Sequence, residues 1–167
     1  MKIFRNTAVR VGLGIFALDQ ATKYLVVHMM NLKGVGAIDV LPPLLNFRMA
    51  WNRGINFGLL ASDAETARWI LIVLSIAISA WVVWWIRKEG QNRLAQISAG
   101  MLVGGALGNV IDRVIYGAVA DFLNMSCCGV DNPFAFNVAD IAIFAGALGL
   151  VFFTGSSPNS DAAGKSG

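Results

Sequence analysis

Residues 94–113 read LAQISAGMLVGGALGNVIDR. No ionisable side chain interrupts them from Leu94 to Ile111, a length close to the ~20 residues that an α-helix needs to cross a bilayer. Gly100, Gly104 and Gly108 recur every four positions, so one helical face lacks side chains and another helix can approach it closely. The stretch ends in Asn109-x-x-Asp112-Arg113, three polar groups sharing a face at one end. A structural Asp–Arg pair at headgroup level and a piece of an active site are both open at this point.

The rest of the chain has the same character. Of its 167 residues, 56% are apolar and 14% charged, against about a quarter charged in soluble domains. Mean hydropathy is +0.63. Three further apolar runs are expected as spans: residues 11–27, 69–86 and 138–153. The first contains Asp19 and Lys23, four apart and able to pair on one face. The second has no ionisable residue, ends in Trp81, Trp84 and Trp85, and follows Ser62-Asp63-Ala64-Glu65, which has capping-box spacing. The fourth carries Ala142, Ala145, Gly146 and Gly149 for close packing. The start of the chain, with Lys2, Arg5 and Arg10 before an apolar run, resembles a secretory signal, but no small-residue cleavage site follows. Those residues and the Arg87 to Arg93 connection place both on the cytoplasmic side by the positive-inside rule, with Arg48 and Arg53 counting against it. The basic balance therefore points to lipid headgroups; no basic-aromatic strip suggests nucleic acid.

Between His28 and Leu60 the period changes. Leu45, Phe47, Met49 and Trp51 alternate with Asn46, Arg48, Ala50 and Asn52, and the rhythm continues through Ile55, Phe57 and Leu59. That predicts strand, begun by Pro42-Pro43, broken at Gly54, with Asn52 on the polar face. His28, the one histidine, is expected at the interface. Residues 123–135 are expected as a loop, with Cys127 and Cys128 as thiols outside any catalysis. The fold class is thus an all-α membrane protein: four transmembrane helices and a small extracytoplasmic β-sheet, about residues 38–60, from the connection between the first two spans. Residues 1–153 form one domain, and 154–167 a disordered cytoplasmic tail.

Asp121 and Asp140 flank the entrance to the last span. At about 1.5 Å of rise per residue, Asp19 lies about 13 Å and Lys23 about 20 Å above the cytoplasmic edge, with Asn109 and Asp112 at about 24 to 28 Å. The polar motifs therefore converge on the outer half of the bilayer. Two close carboxylic acids hold a shared proton, so one activates water while the other protonates a carbonyl oxygen. That is aspartic peptide hydrolysis. Arg113 can orient a carboxylate or lipid phosphate, while Asn109 and Asn137 can hold a substrate backbone. No Gly-x-Ser-x-Gly or His-Glu-x-x-His occurs. Two rivals stand beside this reading: a divalent-metal hydrolase using Asp112, Asp121, Asp140 and the asparagines, and a small proton-coupled transporter using Asp19, Lys23 and Asp140.

Five motifs in order, Asp19-Gln20-x-Thr22-Lys23, Asn52-x-Gly54-x-x-Phe57, Gly104-Gly105-x-x-Gly108-Asn109-x-x-Asp112-Arg113, Val119-x-Asp121-Phe122 and Phe136-Asn137-x-Ala139-Asp140, resemble the lipoprotein signal peptidases, or signal peptidase II, of bacterial inner membranes. The resemblance implies four spans with both termini cytoplasmic, a periplasmic β-cradle, an aspartyl dyad at Asp121 and Asp140, and neither metal nor cofactor. Asn52, Gly54, Asn109, Arg113 and Asn137 would bind substrate, with Asp19, Lys23 and Asp112 supporting the site. The partners implied are prolipoproteins carrying diacylglycerol on the lipobox cysteine, cut just before it, and membrane phospholipid; the protein is expected to be a monomer. Ile55 and Asn56 stand where the family usually has small residues.

Overall fold

The small-residue face of residues 94–113 becomes the centre of the helical packing. The structure, a computed structural model, describes residues 7–54, 64–89, 92–127 and 132–154. In chain order these form α1 (Thr7–Lys23), a π-helical turn (Tyr24–Met29), α2 (Leu32–Val35), β1 (Ala37–Leu41), β2 (Leu45–Asn52), α3 (Ala64–Glu89), α4 (Arg93–Tyr116), β3 (Val119–Asn124) and α5 (Val138–Phe153). The helix α4 packs against α1, α3 and α5. A Cβ on Gly104 would sit on the Gly12 carbonyl oxygen, and one on Gly105 would lie 2.5 Å from the Ala139 carbonyl oxygen. Two helices therefore approach α4 backbone to backbone, on adjacent faces, because the sequence leaves those positions bare.

Caps fix where α4 begins and ends. Asn92 accepts the Ala95 N–H at 2.9 Å, and its own amide donates to the Phe153 carbonyl at 2.9 Å, joining the start of α4 to the end of α5. Gly117, at φ 74°, ends α4 and returns its N–H to the Arg113 carbonyl at 3.1 Å. The helix thus continues beyond the expected end at residue 111, because Val114, Ile115 and Tyr116 contain no breaker and Gly117 does. Asp112 and Arg113 are helical as a result.

Among the described residues, two helices, α3 and α4, are long and apolar enough to cross a membrane; α5 is apolar but shorter. Along α3, Ile70, Val73, Leu74, Ile76 and Trp81 are exposed, as are Phe144, Val151 and Phe152 on α5. Such contiguous apolar surface is unusual on a water-soluble protein.

The expected strand is present as β2, and its partners complete an antiparallel three-stranded sheet in the order β1-β2-β3. Pro42 and Pro43 lie in the turn before β2. Ile38 pairs with Phe47, and Ala50 with Asp121. Phe47 and Met49 pack over a core of Val26, Val27, Leu32, Ala120 and Phe122. The expectation of a loop from residue 123 is corrected: Leu123 and Asn124 belong to β3, held by pairing with β2. Cys127 is disulfide-bonded, which corrects its reading as a thiol. The continuation through Ile55, Phe57 and Leu59, the Ser62-Asp63 cap and the tail from 155 lie outside the described residues.

Candidate active site

Asp121 and Asp140 reach one place by two local devices. The first is strand pairing: Phe136 donates to the Leu123 carbonyl at 2.9 Å and accepts the Leu123 N–H at 2.8 Å, so the chain leaving β3 returns beside it. That brings Asn137, one residue further, against Asp121. The second is the cap of α5. Asn137 accepts the Asp140 N–H at 2.9 Å, and Asp140 Oδ2 accepts the Asn137 N–H at 3.2 Å, a reciprocal capping box. Asp140 is thereby fixed in the first turn of α5.

The same side chains then join the two acids. Asn137 Nδ2 donates to Asp121 Oδ1 at 2.7 Å and to Asn109 Oδ1 at 3.2 Å. Asn109 Nδ2 donates to Asp140 Oδ1 at 2.9 Å. Asn52, at the end of β2, donates to Asp121 Oδ2 at 3.0 Å. Every oxygen of both carboxyl groups therefore accepts a hydrogen bond. Asp121 and Asn137 are buried, Asp140 is half-buried and Asn52 exposed, so the pair is reached from the Asp140 and Asn52 side. Burial pushes the Asp121 carboxyl up to about 7, and the charge of Asp140 pushes it the same way; donors from Asn52 and Asn137 and the charge of Lys23 pull it part of the way back.

Behind the acids lies a buried ionic cluster. Lys23 Nζ sits 2.8 Å from Asp19 Oδ2, 2.7 Å from Asp112 Oδ2 and 3.2 Å from Asn109 Oδ1. The expected Asp19–Lys23 pair forms, and Asp112 pairs with Lys23 across helices instead of with Arg113. Each aspartate of the cluster also accepts one backbone N–H: Asp112 that of Ala120 at 3.1 Å, and Asp19 that of Ala139 at 3.0 Å. Ala120 precedes Asp121 and Ala139 precedes Asp140, so one lysine ties down the backbone next to both acids. Gly108 lets Asp19 come this close: a Cβ there would lie 2.5 Å from Asp19 Oδ2.

Arg113 is half-buried, donates weakly to the Asn109 carbonyl at 3.4 Å and leaves its Nε without a partner, under the charges of Asp140, Asp121 and Asp112. Gly54, at φ 106°, donates its N–H to Asn52 Oδ1 at 3.0 Å and orients the amide that reaches Asp121. His28 stays apart, 3.2 Å from the Tyr116 hydroxyl. Sequence reasoning gave no role to Gln20, whose amide donates to Asp19 at 3.1 Å and to Asp112 at 3.2 Å. Its position next to Asp19 was the available signal. The backbone N–H groups of Ala120 and Ala139 carry no residue-type signal at all.

Two solved structures share this fold, each with a TM-score of 0.74: "Bacterial membrane enzyme structure by the in meso method", one at 2.3 Å resolution with 29% identity over 95% of this chain and 94% of its own, the other at 1.9 Å with 31% identity over 92% and 94%. Fold and site thus define a bacterial type of membrane enzyme. A family profile described as Signal peptidase (SPase) II matches residues 11–155. Similar proteins called lipoprotein signal peptidase occur in Methylorubrum extorquens, 37% identical over 100% of this chain and 98% of its own, and in Burkholderia mallei, 38% identical over 85% and 83%. The chain belongs to the signal peptidase II family and is therefore a peptidase.

Proposed function

We propose that this protein is an aspartic endopeptidase of the bacterial inner membrane that removes signal peptides from diacylglyceryl-modified prolipoproteins, cutting before the lipidated cysteine. The single observation carrying the mechanism is the hydrogen-bonded link from Asp121 through Asn137 and Asn109 to Asp140. Asp121, whose carboxyl titrates at about 7, supplies the proton. Water adds to the scissile carbonyl carbon as Asp140 takes its proton and Asp121 protonates the carbonyl oxygen. The tetrahedral intermediate then breaks its C–N bond, with Asp140 returning a proton to the leaving amine while Asp121 takes back a hydroxyl proton of the intermediate as the C=O bond re-forms. Asn52 and Gly54 at one edge, and the free guanidinium face of Arg113 at the other, bind the substrate backbone. Asn109 and Asn137 are buried with their amide donors on the carboxylates and hold the acids, whereas Asn52, which also donates to Asp121, is exposed to substrate.

The outward-facing apolar side chains on α3 and α5 support four spans, α1, α3, α4 and α5, with the sheet outside the membrane as a cradle over the dyad and both termini in the cytoplasm. A diacylglyceryl anchor then delivers the scissile bond at the outer interface, and proximity supplies part of the rate. One chain contains the whole site, so the protein acts as a monomer, with phospholipid around it. Incubating the purified chain with a synthetic diacylglyceryl lipobox peptide tests this. Cleavage is expected just before the modified cysteine, lost by about a thousand-fold in Asp121→Asn and in Asp140→Asn. Full turnover by either variant, or equal cleavage of the unlipidated peptide, would refute it.

A further inference from the structure

The helices α1 and α3 both lean on α4 and leave a groove between themselves. The groove encloses a cavity of about 330 Å³ walled by Gly12 and Phe16 of α1, Val83 of α3, and Val103 and Leu107 of α4, with Arg87 at one end. Arg87 is the one charged residue among those lining it. The same end of the molecule carries Arg10, Lys88 and Arg93 against Glu89, so the mouth is basic while the slot is apolar. Lys88 lies with its ammonium 5.0 Å from the Trp84 ring, an arrangement of cation and aromatic suited to the headgroup layer.

An apolar slot open to one side with a cation at its mouth matches a chain carrying an anionic head. It does not match the segment that leads to the dyad. Successive residues of a helix turn by about 100°, so Arg113 stands roughly 140° around α4 from Gly100, which lines the groove, and about 20 Å further along the axis. A substrate segment ending at Asp121 and Asp140 follows the other face of α4. Its basic start would also meet the basic mouth of the groove.

We propose that this groove is a binding site for an anionic phospholipid of the cytoplasmic leaflet, with an acyl chain between α1 and α3 and the phosphate on Arg87. The placement in that leaflet rests on the four-span reading given above. The site fills a space between α1 and α3, each of which packs on α4, and so braces α1, the helix that carries Asp19 and Lys23.

The test uses the full chain in detergent micelles doped with equal amounts of dioleoyl-phosphatidylglycerol and dioleoyl-phosphatidylcholine, read by native mass spectrometry. The wild type is expected to retain one phosphatidylglycerol at least about fivefold over phosphatidylcholine, the preference one basic side chain supplies toward an anionic lipid. Arg87→Gln removes that preference, and Leu107→Trp, filling the upper end of the slot, lowers retention of both lipids. Equal retention of the two lipids by the wild type, or unchanged retention in both variants, overturns the proposal. So does a Leu107→Trp protein that keeps its lipid but shows a raised KM for the lipobox peptide, because the slot would then hold the signal segment. Failure of every protein to cleave the peptide counts against the proposed activity and leaves the lipid measurement readable.

Discussion

Burial holds the Asp121 carboxyl up near 7, while its unfolded value is close to 3.8, and the sign of the pH dependence follows. The folded protein keeps a proton that the unfolded chain has released, so this group's contribution to stability is complete below about pH 4 and lost as pH rises through about 7, at most about 4 kcal/mol in all. Relative to wild type, Asp121→Asn is therefore expected to gain stability between pH 5 and pH 8; a difference in unfolding midpoint that stays flat over that range would contradict it. The same titration sets the alkaline limb of kcat/KM, expected to fall about tenfold per pH unit above about 7. Replacing Asp140 by Asn removes a repelling charge, so infrared titration should find Asp121 losing its proton at lower pH. At Lys23 the expectation is structural: Lys23→Met leaves Asp19 and Asp112 buried without their cation, at a cost of about 3–5 kcal/mol. Thermal unfolding in detergent measures it, and adding Asp19→Asn with Asp112→Asn should restore much of the loss. The ionisable groups of this cluster were legible in the sequence, because charges inside apolar runs stand out. So was the Asp19–Lys23 pair, from its spacing, but the partner of Asp112 was not: Asp112 looked adjacent to Arg113, and only the packing of α1 on α4 gives it Lys23.

Asn137 belongs to two structures at once, the cap of α5 and the link between the acids. Serine caps a helix as well as asparagine does but lacks the amide donor. Asn137→Ser is therefore expected to unfold within about 1 kcal/mol of wild type while kcat falls and KM changes little. A parallel fall in stability and activity would assign Asn137 to folding alone. The glycines of the helices divide in the same way. A Cβ on Gly104 meets the backbone of Gly12, whereas one on Gly14 meets nothing within 4 Å. Gly104→Ala should cost about 2 kcal/mol or more, through displacement of α1, and Gly14→Ala should gain about 0.5–1 kcal/mol of helix stability; equal effects at both sites would remove close packing as the reason for the spacing. Helices were readable because long apolar runs bounded by charge admit few other conformations, and residues 138–153 form α5 as expected. β3 was not, because Val119–Asn124 is six residues long, is buried throughout except at Leu123 and shows no alternation. Its strand state comes from β2, which is distant in sequence.

At the scale of the whole molecule, polarity and charge are distributed along one axis. The cluster around Lys23, the dyad and the sheet occupy one end, and Arg10, Arg87, Lys88 and Arg93 the other, with exposed apolar side chains between them. Charged residues flanking short connections set orientation more strongly than those in longer segments, so the proposed orientation keeps the basic end in the cytoplasm despite Arg48 and Arg53. An epitope tag on the C-terminus, separated by a protease site, is therefore expected to be cut in inside-out vesicles and protected in right-side-out ones. A second tag in the turn at Pro42 to Leu44, between β1 and β2, should show the opposite pattern. Both tags cut from the same side would require an even number of crossings between them, in conflict with α3, α4 and α5 each spanning once. Because the complete acid pair and its supports lie within one chain, specific activity should also hold on dilution to one chain per micelle, as measured by light scattering. Activity that disappeared with dilution would place part of the site on a second copy, and would mean that the open side of Asp140 is covered by protein instead of lipid.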